Sequence, residues 1–482
     1  MPDNQRAPGC GPASSKDKEN AVDELISQFE LSTDVLKKVA HNLRKEMDKG
    51  LKTDKANVPM LPSWILTHPT GQETGEYIGL ELSGSSVRIY LVTLHGKGRI
   101  TTRQQKYPVH NHLKKGSINK LVDYLAVSVD SFLAFISKHD VSFQNPLALG
   151  FVISFPLHQT ALNKASVMQW TKDFEVTGTD GKNIVDLLQT GLRRRHIPVI
   201  VEAVCNGAVG CLLAHSYRSL DTLLACTVST GTNAAYWEKC RLIEKLKFPE
   251  SVLKDDGENA PEMILNTEWG SFGDSNPEYL PRTLYDNRLN RESVNPGVHI
   301  FEKMVSGLYL GEIARNIMLD FADRRLLFDN ADLDELNVPY SFEASYMSAI
   351  ESDTTSELED VKHILESIMN ISTTTREDRE VVKRICELVG QRAARLIAAA
   401  ISAVVEKRGA LELGLTISVE GNIYEHYPNF PNRVNEALRD LYGQNVDRIN
   451  IGITRDGNGI GGALAAMLAR ETKKNKDKSP IA

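Results

Sequence analysis

The chain is poor in cysteine. Six occur in 482 residues, Cys10, Cys205, Cys211, Cys226, Cys240 and Cys386, with no Cys-x-x-Cys pair and most of them inside apolar runs. A disulfide scaffold is excluded and no metal site is expected; the cysteines read as reduced, buried small hydrophobes. The sequence lacks an uninterrupted apolar run of the roughly 18 residues that a membrane-spanning helix needs, so no membrane span is expected. Its opening, Met1-Pro2-Asp3-Asn4-Gln5-Arg6, lacks the apolar centre of a secretory signal. It lacks positive charge in excess: the net charge is −7, which leaves no basic face for direct binding of nucleic acid. Short-period repeats are missing too. These absences together point to an intracellular protein, cytoplasmic or nuclear.

What is present is ordinary globular material, 41% hydrophobic and 25% charged, in a chain long enough for two or three domains. Residues 1–20 are rich in Pro, Gly, Ser, Lys and Asp and are expected to be unstructured. Leu36, Val39, Leu43 and Met47 recur at helical spacing after the cap-like Ser32-Thr33-Asp34. Two strands with a tight turn are predicted over Tyr77–Leu94, because Ile78, Leu80 and Leu82 alternate before Val87, Ile89 and Leu91. Helices are predicted over Leu121–Ser137, Ile184–Arg195, Phe301–Phe328, Arg379–Lys407 and Gly461–Glu471. Short apolar strands are predicted over Leu147–Ile153, Val199–Val204, Leu223–Val228 and Leu413–Val419. Alternating strands and helices argue an α/β fold. The two strand–turn–strand units near 83 and 229 suggest a duplicated core. The tail from Lys473 to Lys478 reads as solvated, with a weak second reading as a nuclear-import signal.

Three turns of small residues at strand ends could cradle phosphate through backbone N–H groups and hydroxyls: Ser83-Gly84-Ser85-Ser86, Ser229-Thr230-Gly231-Thr232 and Gly457-Asn458-Gly459-Ile460-Gly461-Gly462. Each alone is also what a tight hairpin or a helix start looks like; three in one chain favour a nucleotide cleft or its relic. Polar groups beside apolar runs would suit a polyhydroxyl ligand: Ser154, Thr171, Lys172, Asn206, Asn233, Glu268 and Glu302. Individually, each is as easily a cap or a surface residue.

Jointly these segments resemble the eukaryotic hexokinases from about Leu31 to Leu468. Thr70-Gly71-Gln72-Glu73-Thr74-Gly75 with Glu81 to Arg88 resembles the first phosphate motif, and Thr230-Gly231-Thr232-Asn233-Ala234 the second. Leu149-Gly150-Phe151 through Ser154-Phe155-Pro156 and Trp170-Thr171-Lys172 resembles the sugar signature. Asn266-Thr267-Glu268-Trp269-Gly270, Asn295-Pro296-Gly297 and Phe301-Glu302-Lys303 continue the match. Val419-Glu420-Gly421-Asn422 resembles the adenosine motif. The resemblance implies two α/β lobes of the actin-like ATPase (ribonuclease H-like) fold around a central ligand cleft. It implies a lead-in over 21–76 that belongs to the large lobe, a small lobe over 77–227, a large lobe over 228–471 and an unstructured basic tail over 472–482. It also implies glucose or a related hexose as ligand, held by Ser154, Pro156, Thr171, Lys172, Asn206, Asn233, Glu268 and Glu302. ATP-Mg would be the co-substrate if the chain is active or keeps nucleotide binding; no other cofactor is implied.

The departures from the family pattern gather on the phosphoryl-transfer side. Gly207 stands where the family carries the Asp that takes the proton from the sugar hydroxyl, and Ala208 replaces a Thr. Glu81 replaces Asp, Ser83 replaces Gly, Ser85-Ser86 replace Thr-Asn, Ser229 replaces Gly, and Ile460 takes a polar place. The degenerate nucleotide set is thus Glu81, Ser83, Gly84, Ser85, Ser86, Arg88, Ser229, Thr230, Gly231, Gly421, Asn422, Gly457 and Gly459. Losing a positioned base costs about 10²–10⁴-fold in rate. Ser83 adds a β-carbon where backbone must approach phosphate, so a strained or obstructed turn is expected there. On the sugar side His299 replaces a Gln and Asp173 a Gly. Asp173 is a substitute base if it reaches the 6-hydroxyl within about 3 Å; His299 is a weaker one. This pattern resembles the non-catalytic hexokinase-like proteins of filamentous fungi, linked to carbon starvation and control of secreted proteases. That resemblance implies a regulator with unidentified protein partners. The competing readings are a working kinase using Asp173, and an interaction module that binds neither ligand.

Overall fold

A computed structural model of the protein describes residues 15–137, 146–171, 174–253, 260–329 and 331–478. Its strands, in chain order, are β1 (Leu61–Pro62), β2 (Thr74–Leu82), β3 (Ser86–His95), β4 (Ile100–Pro108), β5 (Leu147–Ile153), β6 (Leu157–Ala161), β7 (Lys164–Val167), β8 (Val199–Asn206), β9 (Thr222–Val228), β10 (Thr232–Lys239), β11 (Glu262–Asn266), β12 (Leu415–Glu420) and β13 (Ile449–Ile453). They form a five-stranded sheet, β4-β3-β2-β5-β8, a six-stranded sheet, β1-β11-β10-β9-β12-β13, and the small hairpin β6-β7.

The two large sheets repeat one plan. In each an antiparallel meander (β4-β3-β2, β11-β10-β9) is followed by two parallel strands (β5-β8, β12-β13). The duplication suggested by the two small-residue turns is therefore real at the level of topology. Strand β5 is covered on both faces, which is why it reads as an unbroken apolar run with every residue buried.

Between the sheets lies a layer built from the helices Gly207–Ser216 and Gly457–Lys478, with Cys211, Leu212, Trp237, Ile460 and Leu464 in its core. Contact here is backbone to backbone. A β-carbon on Gly79 would sit 1.9 Å from the Gly459 carbonyl oxygen, one on Gly150 1.7 Å from that of Gly462, and one on Gly461 1.9 Å from that of Gly210. The glycines of 457–462, read from sequence as a phosphate turn, thus lie in the first turns of a helix and let it sink onto β2 and β5.

Several boundaries move. A helix begins at Ser15, inside the stretch expected to be unstructured through 20; the rest of that stretch lies outside the described residues. The terminal helix runs to Lys478, so 472–478 is helical, not a loose tail. Strand β9 is hydrogen-bonded into the six-stranded sheet, which moves the lobe boundary ahead of Thr222, and the terminal helix rests on the five-stranded sheet although 228–471 had been assigned to the other lobe. The helix expected over Phe301–Phe328 is two helices, Ile300–Val305 and Gly307–Asp323, broken at an extended Ser306. The break is stabilised from outside: Gly307 N–H donates to the Ser229 carbonyl at 2.7 Å. Strands β1, β4, β6, β7, β11 and β13 were not foreseen; β1 is two residues long, β4 is mostly polar and exposed, and β7 is only four residues long.

The helix Arg376–Arg408 is long and apolar enough to cross a membrane by composition, but 89% of its apolar window is buried inside the protein. Cys205, Cys211, Cys226, Cys240 and Cys386 are free and buried. No cluster of metal-ligating side chains occurs among the described residues.

Candidate functional site

Asn206 joins the two sheets. It is the last residue of β8 and the N-cap of the helix Gly207–Ser216, its Oδ1 accepting the Ala208 N–H at 3.0 Å. Its Nδ2 donates to the Phe155 carbonyl at 3.4 Å, next to Ser154 and Pro156. Asn233, from β10, donates through Nδ2 to Asn206 Oδ1 at 3.4 Å, to Asn266 Oδ1 at 2.9 Å and to Glu268 Oε1 at 3.1 Å. Asn266 Nδ2 also donates to Glu268 Oε1, at 2.7 Å. Glu302 accepts the Thr232 N–H at 2.9 Å. Gly231 leaves room for it: a β-carbon there would lie 2.6 Å from Glu302 Oε2 and would displace that carboxylate. Four of the residues expected to hold sugar, Asn206, Asn233, Glu268 and Glu302, are thus brought to one junction as an interleaved set of donors and acceptors, the pattern vicinal hydroxyls need. Asn266 belongs with them and was given no role from sequence. Its signal was the run Asn266-Thr267-Glu268, which places it at the end of β11 beside Asn233.

The junction is clamped from behind. Glu268 and His299 both adopt left-handed backbone, with φ of 52° and 57°. Asp274 holds the second of these, accepting the His299 N–H at 3.0 Å and the Ile300 N–H at 2.9 Å. Burial pushes the Asp274 carboxyl up to about 6. Lys303, buried, donates to Asn290 Oδ1 at 2.9 Å and to the Asn295 carbonyl at 2.7 Å, tying down the loop that leads to His299; burial pushes its ammonium down to about 8.

Across the cleft, Ser154 N–H donates to the Leu82 carbonyl at 3.1 Å and the Pro156 carbonyl accepts Met168 N–H at 3.0 Å. Thr171 accepts the Phe174 N–H at 3.1 Å and follows Trp170 in an aromatic group of Phe155, Trp170 and Phe174, with ring centroids 4.9 to 5.7 Å apart. This group fixes the small-lobe face against Asn206. Lys172 and Asp173 lie outside the described residues.

Gly207 is the first residue of its helix, and the space beside it is taken. A β-carbon on Gly207 would stand 3.0 Å from Asn458 Oδ1 and 3.4 Å from its Cγ. Asn458 is itself held: Nδ2 donates to Glu81 Oε1 at 3.0 Å, and Oδ1 accepts from Cys211 Sγ at 3.2 Å. Cys211 also hydrogen-bonds Glu420. Tyr90 hydroxyl reaches Glu81 at 3.3 Å and Asp456 at 3.4 Å, and Arg88 stands 3.8 Å from Asp456. Burial, reinforced by Glu81 and Asp456, pushes the Glu420 carboxyl up to about 7.

The phosphate turns are closed on themselves. Ser83 Oγ bonds to the Ser86 carbonyl at 3.0 Å and to Ser86 Oγ at 3.2 Å, and Ser83 N–H donates to the same carbonyl at 2.9 Å. The strain expected at Ser83 is absent: neither Ser83 nor Gly84 has positive φ. Ser85 and Gly84 complete the turn, its Ser85 carbonyl accepting from Val109 N–H at 3.0 Å. In the second turn Ser229 N–H donates to the Gly231 carbonyl at 2.9 Å, and the Ser229 and Thr230 carbonyls accept from Gly307 and Leu308. Gly421, with φ of 130°, passes so close that a β-carbon there would meet the Val228 carbonyl at 2.3 Å and Ser229 Cβ at 2.9 Å; Asn422 then starts the helix Asn422–His426. For the phosphates of ATP-Mg the fit is poor at the first turn, whose Ser83 hydroxyl and N–H are already bonded to Ser86.

Two successive matches to the family described as Hexokinase cover residues 21–217 and 223–468. The chain is 36% identical over 453 residues to the hexokinase of Kluyveromyces lactis, spanning 93% of this chain and 91% of that one. It is 35% identical over 461 residues to hexokinase-1 of Saccharomyces cerevisiae, spanning 95% and 93%. A solved hexokinase from Schistosoma mansoni complexed with glucose superposes with a TM-score of 0.83 at 30% identity, over 95% of this chain and 100% of that one.

Proposed function

We propose that this chain, which belongs to the hexokinase family, holds glucose or a related hexose between its lobes without phosphorylating it at a significant rate. Its output would be regulatory: carbon or nutrient sensing in the cytoplasm or nucleus, such as repression of starvation-induced secreted proteases, delivered through protein partners. The observation that carries this reading is an asymmetry. Asn206, Asn233 and Glu268 are hydrogen-bonded through Asn233, and Glu302 is held beside them by the Thr232 N–H. The adjoining base position is Gly207, with Asn458 against it.

The chemistry of each side supports the division. A hexose hydroxyl entering the junction finds carboxylate acceptors and amide donors already oriented, so little ordering is needed on binding. Phosphoryl transfer needs a base within hydrogen-bond reach of the attacking hydroxyl and free N–H donors at the phosphates. Gly207 supplies no base, and in the Ser83–Ser86 turn the Ser83 N–H, the Ser83 hydroxyl and the Ser86 N–H are already bonded within the turn.

The experiment is a pair of measurements on the purified full chain. Calorimetric titration with glucose should give a saturable affinity. A coupled assay with glucose and ATP-Mg should stay at background. Turnover comparable to that of an active relative overturns the proposal; if Asp173→Ala then abolishes that turnover while glucose still binds, Asp173 is the base. Absence of any glucose binding instead favours an interaction module.

A further inference from the structure

The loop between the helices Ala344–Ser352 and Glu359–His363 faces the start of the long helix Arg376–Arg408. Between them is a hollow of about 340 Å³ whose walls include Ser356, Arg376, Lys383 and Arg384, together with the carboxylates Glu380 and Glu387. We propose that Ser356 is a phosphorylation site whose phosphate monoester is seated in this hollow by Lys383 and Arg384.

The loop is built around Asp353. Its carboxylate accepts from Thr355 N–H at 2.9 Å, Thr355 Oγ1 at 2.6 Å, Asp360 N–H at 2.9 Å and Val361 N–H at 3.1 Å. Thr355 Oγ1 also accepts the Glu359 N–H at 2.9 Å, so that hydroxyl is spent on the turn. Ser356 follows, is exposed and lines the hollow, and its hydroxyl makes no hydrogen bond among the described residues. Of the neighbouring hydroxyls on the loop it is the one both reachable and facing the cations.

The charges on the two sides differ. Arg376 is paired with Glu380 at 3.0 Å, and Arg384 with Glu30 at 3.1 Å and Glu387 at 3.4 Å. Lys383 has no carboxylate partner among the described residues; its ammonium meets the Asp353 carbonyl. Glu357 is drawn aside by Arg379 at 3.7 Å. A phosphoserine carries about −1.5 to −2 charges near neutral pH and offers three acceptor oxygens, which match an ammonium with donors to spare beside a guanidinium. Carboxylates follow the serine at Glu357, Glu359 and Asp360, the surroundings read by a serine/threonine kinase that selects acidic residues after its target. In that transfer Ser356 Oγ bonds to the γ-phosphorus of ATP, the bond from that phosphorus to the β–γ bridging oxygen breaks, ADP leaves, and the hydroxyl proton passes to the kinase's base.

The test uses the full chain, ATP-Mg and an acidophilic serine/threonine kinase, with the modified residue mapped by peptide mass spectrometry. One phosphate on Ser356 is expected, and none in Ser356→Ala. By phosphorus NMR the second ionisation of that phosphate should lie below that of the same phosphopeptide free in solution, because cations favour the dianion. Lys383→Gln should still accept phosphate and should move the ionisation back toward the peptide value, with its thermal midpoint reported as a fold control. Incorporation at Thr354 or Thr355 with Ser356 untouched overturns the proposal, as does an ionisation that Lys383→Gln leaves unchanged. Inorganic phosphate titrated into unmodified protein is the second arm: saturable binding lost in Lys383→Gln, in a chain whose Ser356 takes no phosphate, reassigns the hollow to a free anion.

Discussion

The side-chain oxygen of Asn458 lies 3.0 Å from the point where a β-carbon on Gly207 would stand. The two residues are 251 positions apart, and the contact exists because the terminal helix sinks onto β2 and β5 through paired glycines. Asn458 is also bonded to Glu81 and Cys211. Gly207 and Glu81 are therefore linked through one side chain, Asn458.

Gly207→Asp alone should fold, leave glucose binding in place and show no turnover above background. The new side chain must push Asn458 by a few tenths of an ångström and disturb its bond to Glu81, while the Ser83–Ser86 turn stays closed. Comparing Gly207→Asp with Gly207→Asp/Asn458→Ala in the coupled assay separates the two obstacles. Turnover in the single variant within about tenfold of an active relative contradicts the view that the phosphate turns are impaired.

Glu268→Gln should weaken glucose binding by roughly 1.5–3 kcal/mol, or about 10- to 100-fold in Kd. It replaces the acceptor shared by Asn233 and Asn266 with a group that carries donors of its own. Calorimetric titration checks it. An unchanged Kd places the sugar elsewhere.

Asp274 should make glucose binding pH-dependent. Its carboxyl titrates at about 6, and as pH falls through that value it gains a proton and becomes a weaker acceptor for the His299 and Ile300 N–H groups. Glucose affinity should drop several-fold between about pH 7 and about pH 5. Asp274→Asn should bind weakly throughout and show no step there.

Glu420 should govern stability near neutrality. Its folded pKa is raised to about 7, so the fold favours the neutral form. The contribution is full below the ordinary carboxylate pKa and is lost as pH rises through about 7. Glu420→Gln should match the parent near about pH 5 and exceed it by on the order of 1 kcal/mol near about pH 8, read from urea unfolding at both values. Equal stabilities at the higher pH contradict the assignment.

The buried pair Arg392–Asp286 should be the costliest ion pair to break. Arg392 donates twice to Asp286 at 2.7 Å, both side chains are buried, and the guanidinium lies 4.2 Å from the Phe29 ring. Arg392→Met should cost about 3–5 kcal/mol by leaving a buried charge unpaired. Adding Asp286→Asn should recover part of it.

The α/β class and the strand–turn–strand units were legible in the chain because each has a local cause: alternation and a turn of small residues. Asn206 has two roles, since the residue type that caps a helix also faces the cleft. What was misread had causes far away in sequence. The run 457–462 could be a phosphate turn or a helix start by composition; it is a helix start, onto which Gly79, Gly150 and Gly210 close from three other elements. The stretch 301–328 has helical periodicity throughout and breaks at Ser306, because the Ser229 carbonyl takes a helix N–H.

By itself the sequence determined the α/β class and the scatter of its cysteines, since these depend on residue type and local spacing alone; that Gly207 stands at the family's base position is what the resemblance implies. Only the tertiary structure decided what occupies the space beside Gly207, that Asn266 joins the sugar-facing group, and that the Ser83 hydroxyl is bonded within its own turn. Those depend on atoms brought within hydrogen-bond or van der Waals reach by helices packing between two sheets, a distance relation that no linear spacing encodes.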